Sequence, residues 1–291
     1  MGPFVHDFMI RALIAGVLTG VLAPAVGTFI VQRRLSLLGD GLGHIAIAGV
    51  GLALLTGTAP LPIALVVVVL GAWLIEWLRA HGRVAADLGL AIIFYGGLAL
   101  GVLMAGLAGR GAGVLSQYLF GSLTSVSPEE IWLVVILAVI VLVTVIGLRP
   151  QLFAVSIDED FARTQGLPVG FYNFLLITMA ALVVGISMRT VGLLLISALL
   201  VVPVAAAANI VTGLNRNLCT AMLIGGLVAA AGVTSSYWLD APSGATIVLI
   251  AIVLFIVTVP LKPWRERRSR GTVSDAAARM GDDMSHERVR S

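Results

Sequence analysis

The feature that most constrains this chain is a succession of long apolar segments separated by short polar ones. A helix needs about 20 apolar residues to cross a bilayer, and segments of that length recur along most of the chain. Of the 291 residues, 59% are hydrophobic and 11% are charged, which is more apolar surface than a soluble core can bury. The sequence therefore predicts an all-α fold, a polytopic transmembrane helical bundle of about eight to nine spans. The expected helices are 8–32, 36–56, 61–79, 88–108, 130–148, 171–189, 191–212, 218–237 and 243–261.

Two segments leave this count open. Residues 111–129 are too polar for a clean span, and a short or re-entrant segment there would change the count to eight or ten. Near the N-terminus, Arg11 precedes an apolar run with no convincing cleavage site. Residues 8–32 are therefore expected to be a retained span and not a signal peptide.

Basic residues predict the orientation of the bundle. If the polar segment 156–168 is inside, the inner loops and the C-terminal tail hold fifteen Lys and Arg residues, whereas the outer side holds only Arg11, Arg110 and Arg189. This asymmetry places residues 156–168 and the tail in the cytoplasm. The net charge of +3 belongs to residues 262–291, which favours anionic lipid over nucleic acid as their neighbour. We expect a transmembrane domain over residues 1–262 and a basic, disordered cytoplasmic tail over residues 263–291.

Asp40 and His44 are the strongest candidate metal ligands. They are four residues apart in the second expected helix, so their side chains lie one turn apart on one face, with Ser36 a turn before them. A carboxylate oxygen and an imidazole nitrogen together suit a divalent transition metal, and ionisable residues inside a span are costly. In the alternative interpretation, Asp40 pairs with Arg33 or Arg34 at the membrane surface and His44 is a packing residue.

The segment 156–168 is the strongest candidate for contact with a soluble partner. Acidic residues open it, and Gly166 and Pro168 close it, an order typical of a short helix of about residues 157–168. Phe161 and Leu167 would supply apolar contacts to a groove. An ordinary solvated loop is the alternative.

Other features narrow the possible functions. Glu76, between Trp73 and Trp77, and Arg189 are interpreted as residues of the membrane interface. Cys219 is the only cysteine, so neither a disulfide framework nor a cysteine metal cluster can form within the chain. No Gly-x4-Gly-Lys-Ser/Thr pattern occurs, so any ATP would be bound by another polypeptide. An intramembrane metalloenzyme is disfavoured because no His-Glu-x2-His pattern is present. Glycines four residues apart, such as Gly16 and Gly20, predict close helix packing.

Four segments in order resemble the ABC-3 family of membrane permeases, found in bacterial zinc and manganese ATP-binding-cassette importers. They are Gln32–His44, Tyr118–Ser122 with Val126–Pro128, the segment 157–168, and Val191–Pro203. The resemblance implies a type II importer-like fold in the bacterial inner or plasma membrane. Its implied partners are a second copy of the chain, an ATPase subunit and an extracytoplasmic metal-binding protein, with no cofactor bound by the chain itself.

The resemblance also implies roles for individual residues. Asp40 and His44 match the pair associated with the metal path, with zinc the first expected cargo and manganese the second. Many relatives carry Ala after the Asp and Ser before the His, whereas this chain has Gly41 and Gly43, which are expected to loosen the helix. An ion-gradient-coupled secondary metal transporter is the alternative function. The implied ATPase-coupling residues are Asp158, Glu159, Phe161, Ala162 and Gly166.

Overall fold

The expected helical bundle is present in a computed structural model of the protein. The structure describes residues 7–81, 86–109, 111–121, 128–189, 191–193 and 195–261, and all regular secondary structure in these ranges is α-helical. The predicted tail 263–291 and part of the motif at 118–128 lie outside the described residues. The described helices are α1 (Asp7–Gln32), α2 (Leu38–Thr56), α3 (Pro60–His81), α4 (Ala86–Leu107), α5 (Gly111–Phe120), α6 (Pro128–Gly147), α7 (Arg149–Ile157), α8 (Glu159–Thr164), α9 (Val169–Ser187), α10 (Ile196–Ile210), α11 (Leu214–Leu239) and α12 (Ser243–Thr258).

Length and composition identify fewer membrane-crossing helices than the sequence predicted. Among the described residues, five helices are long and apolar enough: α1, α2, α3, α9 and α11. A sixth is added if α6 and α7, which meet at an angle of 71°, count as one broken span. Shorter apolar helices lie in α4, α10 and α12. The all-α class is thus confirmed, and the count of eight to nine is not established by these criteria.

The largest boundary difference is at the start of α10. The sequence predicted a helix from residue 191, but α10 begins at Ile196 because Gly192 adopts a left-handed φ of 91° that interrupts the helical path. The Leu193 amide donates a hydrogen bond of 2.9 Å to the Tyr118 carbonyl near the end of α5. This bond satisfies a buried backbone group at the break, as a non-helical segment inside a bundle requires. The ten-residue α5 is the short segment expected within 111–129.

Small residues allow α1 to pack closely against α11. A Cβ atom added to Gly20 would lie 2.4 Å from the carbonyl oxygen of Gly225, and one added to Gly16 would lie 2.8 Å from a methyl group of Val233. Neither position has room for a side chain. The predicted packing role of Gly16 and Gly20 is therefore confirmed, since glycine lets two transmembrane backbones approach.

The end of α1 and the bend after α6 bring α8 next to the chain segment that leads to Asp40 and His44. α7 buries Phe153 against α1, where its ring centroid lies 4.7 Å from that of Phe29. The chain then continues directly into α8, which consequently lies beside residues 33–37, the linker between α1 and α2. This linker leads into the helix that carries Asp40 and His44.

Candidate metal cavity and docking helix

Asp40 and His44 line one cavity of about 400 Å³, which we call the α2–α4 cavity. The structure therefore brings together the two residues that the sequence singled out, as their spacing predicts. No group of three or more His, Cys, Asp or Glu side chains that could hold a metal occurs among the described residues. The cavity is lined by the α1–α2 linker, the first turns of α2 and one face of α4, through Arg34, Leu35, Ser36, Leu37, Leu38, Asp40, His44, Ala91, Phe94 and Tyr95.

The imidazole of His44 is only partly satisfied by its surroundings. Its Nδ1 is buried and has no hydrogen-bond partner in the described part of the chain. The Phe94 ring meets the imidazole edge-on, with 6.5 Å between the ring centroids and 80° between the planes. An unpartnered buried nitrogen is unfavourable, and a bound cation would satisfy its lone pair.

Asp40 lies in the first turn of α2, where the helix dipole favours a negative charge. Its carboxylate forms no ion pair with any described residue, because Arg33 pairs with Glu159 and Arg34 only lines the same cavity. The alternative in which Asp40 pairs with Arg33 or Arg34 is therefore wrong in this structure. The carboxylate is left available to the cavity.

The two glycines beside these residues are tightly packed. A Cβ atom on Gly41 would lie 1.6 Å from the Phe94 ring, and one on Gly43 would lie 2.6 Å from the Leu193 carbonyl oxygen. Neighbouring groups thus fill the space that Ala and Ser side chains would need. The sequence predicted that these glycines loosen α2, but Phe94 and Leu193, which are distant in sequence, pack directly against them.

The acidic start and the Gly166 end that the sequence predicted are present in α8, but the helix covers Glu159–Thr164 and not about 157–168, because Ile157 still belongs to α7 and Gly166 turns the chain out of the helix. At its start, the Asp158 carboxylate accepts hydrogen bonds of 3.0 Å from the amides of Asp160 and Phe161, as an N-cap does. At its end, Gly166 has a φ of 80°. The amides of Gly166 and Leu167 bond back to the carbonyls of Arg163 and Ala162, a Schellman motif that requires the left-handed residue.

The five residues assigned to ATPase coupling differ in orientation. Phe161 is 59% exposed and points outward, whereas Ala162 is fully buried against Val155 and Val169. Glu159 turns back towards the bundle and forms an ion pair with Arg33. Only Phe161 therefore presents a large side chain outward, while Asp158 and Gly166 define the ends of the helix.

Glu159 belongs to a group of polar side chains that we call the linker charge cluster: Arg33, Glu76, Arg79, Glu159 and Asn173. The Asn173 side-chain amide donates to Glu159 over 3.3 Å, and Arg79 donates to Glu76 over 2.9 Å. Burial lowers the pKa of Arg33, and the neighbouring Glu159 carboxylate opposes that shift. Next to the cluster is a polar cavity of about 230 Å³ lined partly by Arg33, Arg34, Arg79 and Glu159.

Glu76 and Arg189 contact other residues more closely than the sequence indicated. Glu76 is 4% exposed while Trp73 and Trp77 on either side are exposed, so it faces the bundle and not the lipid. The guanidinium carbon of Arg189 lies 5.4 Å from the ring centroid of Tyr118, and its Nη2 donates to the phenolic oxygen over 3.4 Å. The helical period puts Glu76 on a face adjacent to that of Trp73 and Trp77, so its burial depends on the neighbouring helices and could not be read from the sequence alone.

The whole described bundle is similar to known membrane transport proteins. Residues 5–262 match the ABC 3 transport family. The chain is 31% identical to the manganese transport system membrane protein MntC of Halalkalibacterium halodurans, over 91% of this chain and 94% of that protein. It is 31% identical to the manganese import system permease protein ScaB of Streptococcus parasanguinis, over 92% and 95%. A solved structure, PsaBC from Streptococcus pneumoniae in complex with Fab, superposes with a TM-score of 0.81 at 28% identity, covering 90% of this chain and 96% of that one.

Proposed function

Because the chain belongs to the ABC 3 transport family, we propose that it is the multi-pass membrane permease subunit of an ATP-driven importer of manganese. The observation that carries this proposal is the α2–α4 cavity, in which Asp40 and His44 lie together and the His44 Nδ1 has no partner among the described residues. Family membership favours an ATP-driven importer over the ion-gradient alternative.

The chemistry of the cavity suits a cation that passes through. One carboxylate and one imidazole bind a divalent transition metal, but two ligands are fewer than a stable structural site employs. Weak binding is what a conduit needs, because the ion must also leave. The sequence resemblance ranked zinc before manganese; both relatives above are named for manganese. We therefore propose manganese as the first cargo to test and zinc as the second.

We propose nine crossings, with the N-terminus outside and residue 261 in the cytoplasm. The five long helices are joined by α6 and by the shorter α4, α10 and α12. α12, with 16 residues, is about 24 Å long, so local thinning of a core of about 30 Å would accommodate it. This path puts α8, the α1–α2 linker and the start of α11 on one side of the inner or plasma membrane.

The remaining parts of the importer would be separate molecules. We propose that an ATPase subunit docks on α8 through Phe161 and hydrolyses the ATP, and that an extracytoplasmic binding protein delivers the cation. A second copy of the chain would complete the pathway.

The test is manganese uptake into proteoliposomes that contain the chain with its ATPase and binding protein, with and without ATP. We expect ATP-dependent uptake that Asp40→Asn and His44→Ala each reduce at least about tenfold, since each removes one of two ligands. The same experiment with zinc ranks the two cargoes. The chain alone, under an imposed ion gradient, tests the secondary-transporter alternative.

Matched controls separate the cavity from general effects on the protein. Asp240→Asn removes a carboxylate from an exposed residue at the end of α11, and His81→Ala removes an imidazole from an exposed residue at the end of α3. Both should transport like the wild type. Uptake that survives both cavity substitutions would reject Asp40 and His44 as the path. Gradient-driven uptake by the chain alone would reject the ATP-driven importer.

A further inference from the structure

The linker between α1 and α2 contains two consecutive arginines that lie in different environments. Arg33 belongs to the linker charge cluster beside α8. Arg34 lines the polar cavity next to that cluster and also lines the α2–α4 cavity, together with Asp40 and His44. A few residues of backbone thus separate Arg33, which contacts the docking helix, from the candidate metal ligands.

Arg33 is buried and is held through one nitrogen of its guanidinium, while its Nη1 has no hydrogen-bond partner among the described residues. Its side chain is 4% exposed, and its Nη2 donates to the Glu159 carboxylate, which also accepts from Asn173. Removing Glu159 would leave the buried Arg33 guanidinium without its ion-pair partner, and an unpaired buried charge is costly to keep in the protein. When α8 moves, the linker must therefore follow it, or the pair must break at that cost.

Arg34 marks a strained point in the same linker. Its φ is 58°, and the amides of Arg34 and Leu35 bond back to the carbonyls of Val31 and Ile30, so that α1 ends in a Schellman motif. Glycine is the usual residue at that position because a side chain adds strain in the left-handed region. Here an arginine occupies it and extends into both cavities.

We propose that the Arg33–Glu159 ion pair is the positioning contact by which α8 controls the opening of the α2–α4 cavity, an inference that rests on the proposed function. Movement of α8 by a docked ATPase pulls the linker through this pair. The linker then shifts Arg34, and with it a positive charge, relative to Asp40. Because a nearby guanidinium competes with a metal cation for the same carboxylate, the shift changes how tightly Asp40 holds its cargo.

The experiment measures manganese ions transported per ATP hydrolysed by the full reconstituted complex. The test variants are Arg33→Gln, Glu159→Gln and the charge exchange Arg33→Glu with Glu159→Arg. Asp160→Asn is the matched control, because it removes a carboxylate from the same helix and breaks an exposed ion pair with Arg163 without affecting Arg33. Binding of the ATPase subunit and of manganese is measured for every variant.

We expect Arg33→Gln and Glu159→Gln to bind both the ATPase and manganese, but to transport about tenfold fewer ions per ATP. The charge exchange should recover part of the loss, because it restores an ion pair between the two positions. Wild-type binding of the ATPase and of manganese in the single variants would exclude a general loss of structure. Glu159 is partly exposed, so Glu159→Gln is expected to fold. This variant therefore tests whether the ion pair couples α8 to transport even if Arg33→Gln fails to fold.

Two results would overturn the inference while leaving the proposed function intact. One is a wild-type transport ratio in Glu159→Gln. The other is an equal loss in Asp160→Asn, which would assign the effect to the docking surface of α8. A wild-type complex without ATP-driven uptake would instead overturn the proposed function and this inference together.

Discussion

At the scale of single residues, the packing of Gly41 is the most specific feature near the metal ligands. A Cβ atom at this position would overlap the Phe94 ring, which also lies edge-on to His44. We expect Gly41→Ala to lower stability by about 1–3 kcal/mol, the usual cost of overpacking, and to weaken manganese binding by displacing Phe94. The melting temperature and manganese affinity of the purified permease measure both effects.

Gly96 is the matched control for this substitution. It lies in the middle of α4, two residues from Phe94, and an added Cβ atom would meet nothing within 4 Å. Gly96→Ala should therefore leave stability unchanged or raise it by up to about 1 kcal/mol, because alanine favours a helix over glycine. Adding Phe94→Leu to Gly41→Ala should restore part of the loss. Equal effects at the two glycines would contradict the packing argument.

The residue scale also shows how far the sequence predicts this site. The i, i+4 spacing was enough to place Asp40 and His44 on one face, and the structure places both in one cavity. The partner of Arg33 was not predictable, because Glu159 is 126 residues away and nothing local distinguishes it from Asp158 or Asp160. Likewise, the tight fit at Gly41 depends on Phe94 in another helix.

At the scale of elements, α8 depends on its N-cap. It has only six residues, and isolated helices of that length are not stable in water, so its end contacts matter more than its propensity. Asp158→Ala would remove two hydrogen bonds to backbone amides at a cost of about 1 kcal/mol, whereas Asp158→Asn would keep a capping oxygen. We expect Asp158→Ala, but not Asp158→Asn, to reduce the manganese-stimulated ATPase activity of the complex.

The comparison between these two variants separates the effect of the capped helix from the effect of the Asp158 charge. Both remove the carboxylate, so a loss of activity in both would mean that the charge of Asp158 contacts the partner. Loss in Asp158→Ala alone would mean that the capped helix is what the partner recognises.

Elements were predictable where local sequence decides them. The acidic start of α8 and its Gly166 end follow from capping rules, and the structure agrees with both. The start of α10 was predicted five residues early, because residues 191–196 carry no polar side chain and nothing in their composition marks the break at Gly192. A break in such a run is stabilised by a tertiary hydrogen bond from Leu193 to Tyr118, which hydropathy does not reveal.

At the scale of the whole molecule, the open question is which short helices cross the membrane. α10 has 15 residues and spans about 22 Å, less than a core of about 30 Å. Its ends are nevertheless assigned to opposite sides by the nine-crossing proposal, with α9 before it and α11 after it. If α10 did not cross, every later segment would be inverted relative to α8.

Cysteine labelling decides this question, because Cys219 is the only native cysteine and Cys219→Ser removes it. In that background, single cysteines at Thr58, Gln165 and Asn215 report on the α2–α3 loop, the end of α8 and the start of α11, and all three positions are exposed. We expect a membrane-impermeant maleimide to label Thr58→Cys in intact spheroplasts, and to label Gln165→Cys and Asn215→Cys only in inverted vesicles. Labelling of Asn215→Cys together with Thr58→Cys would mean that α10 does not cross. Arg216 at the start of α11 would then lie outside, against the charge asymmetry that orients the rest of the chain.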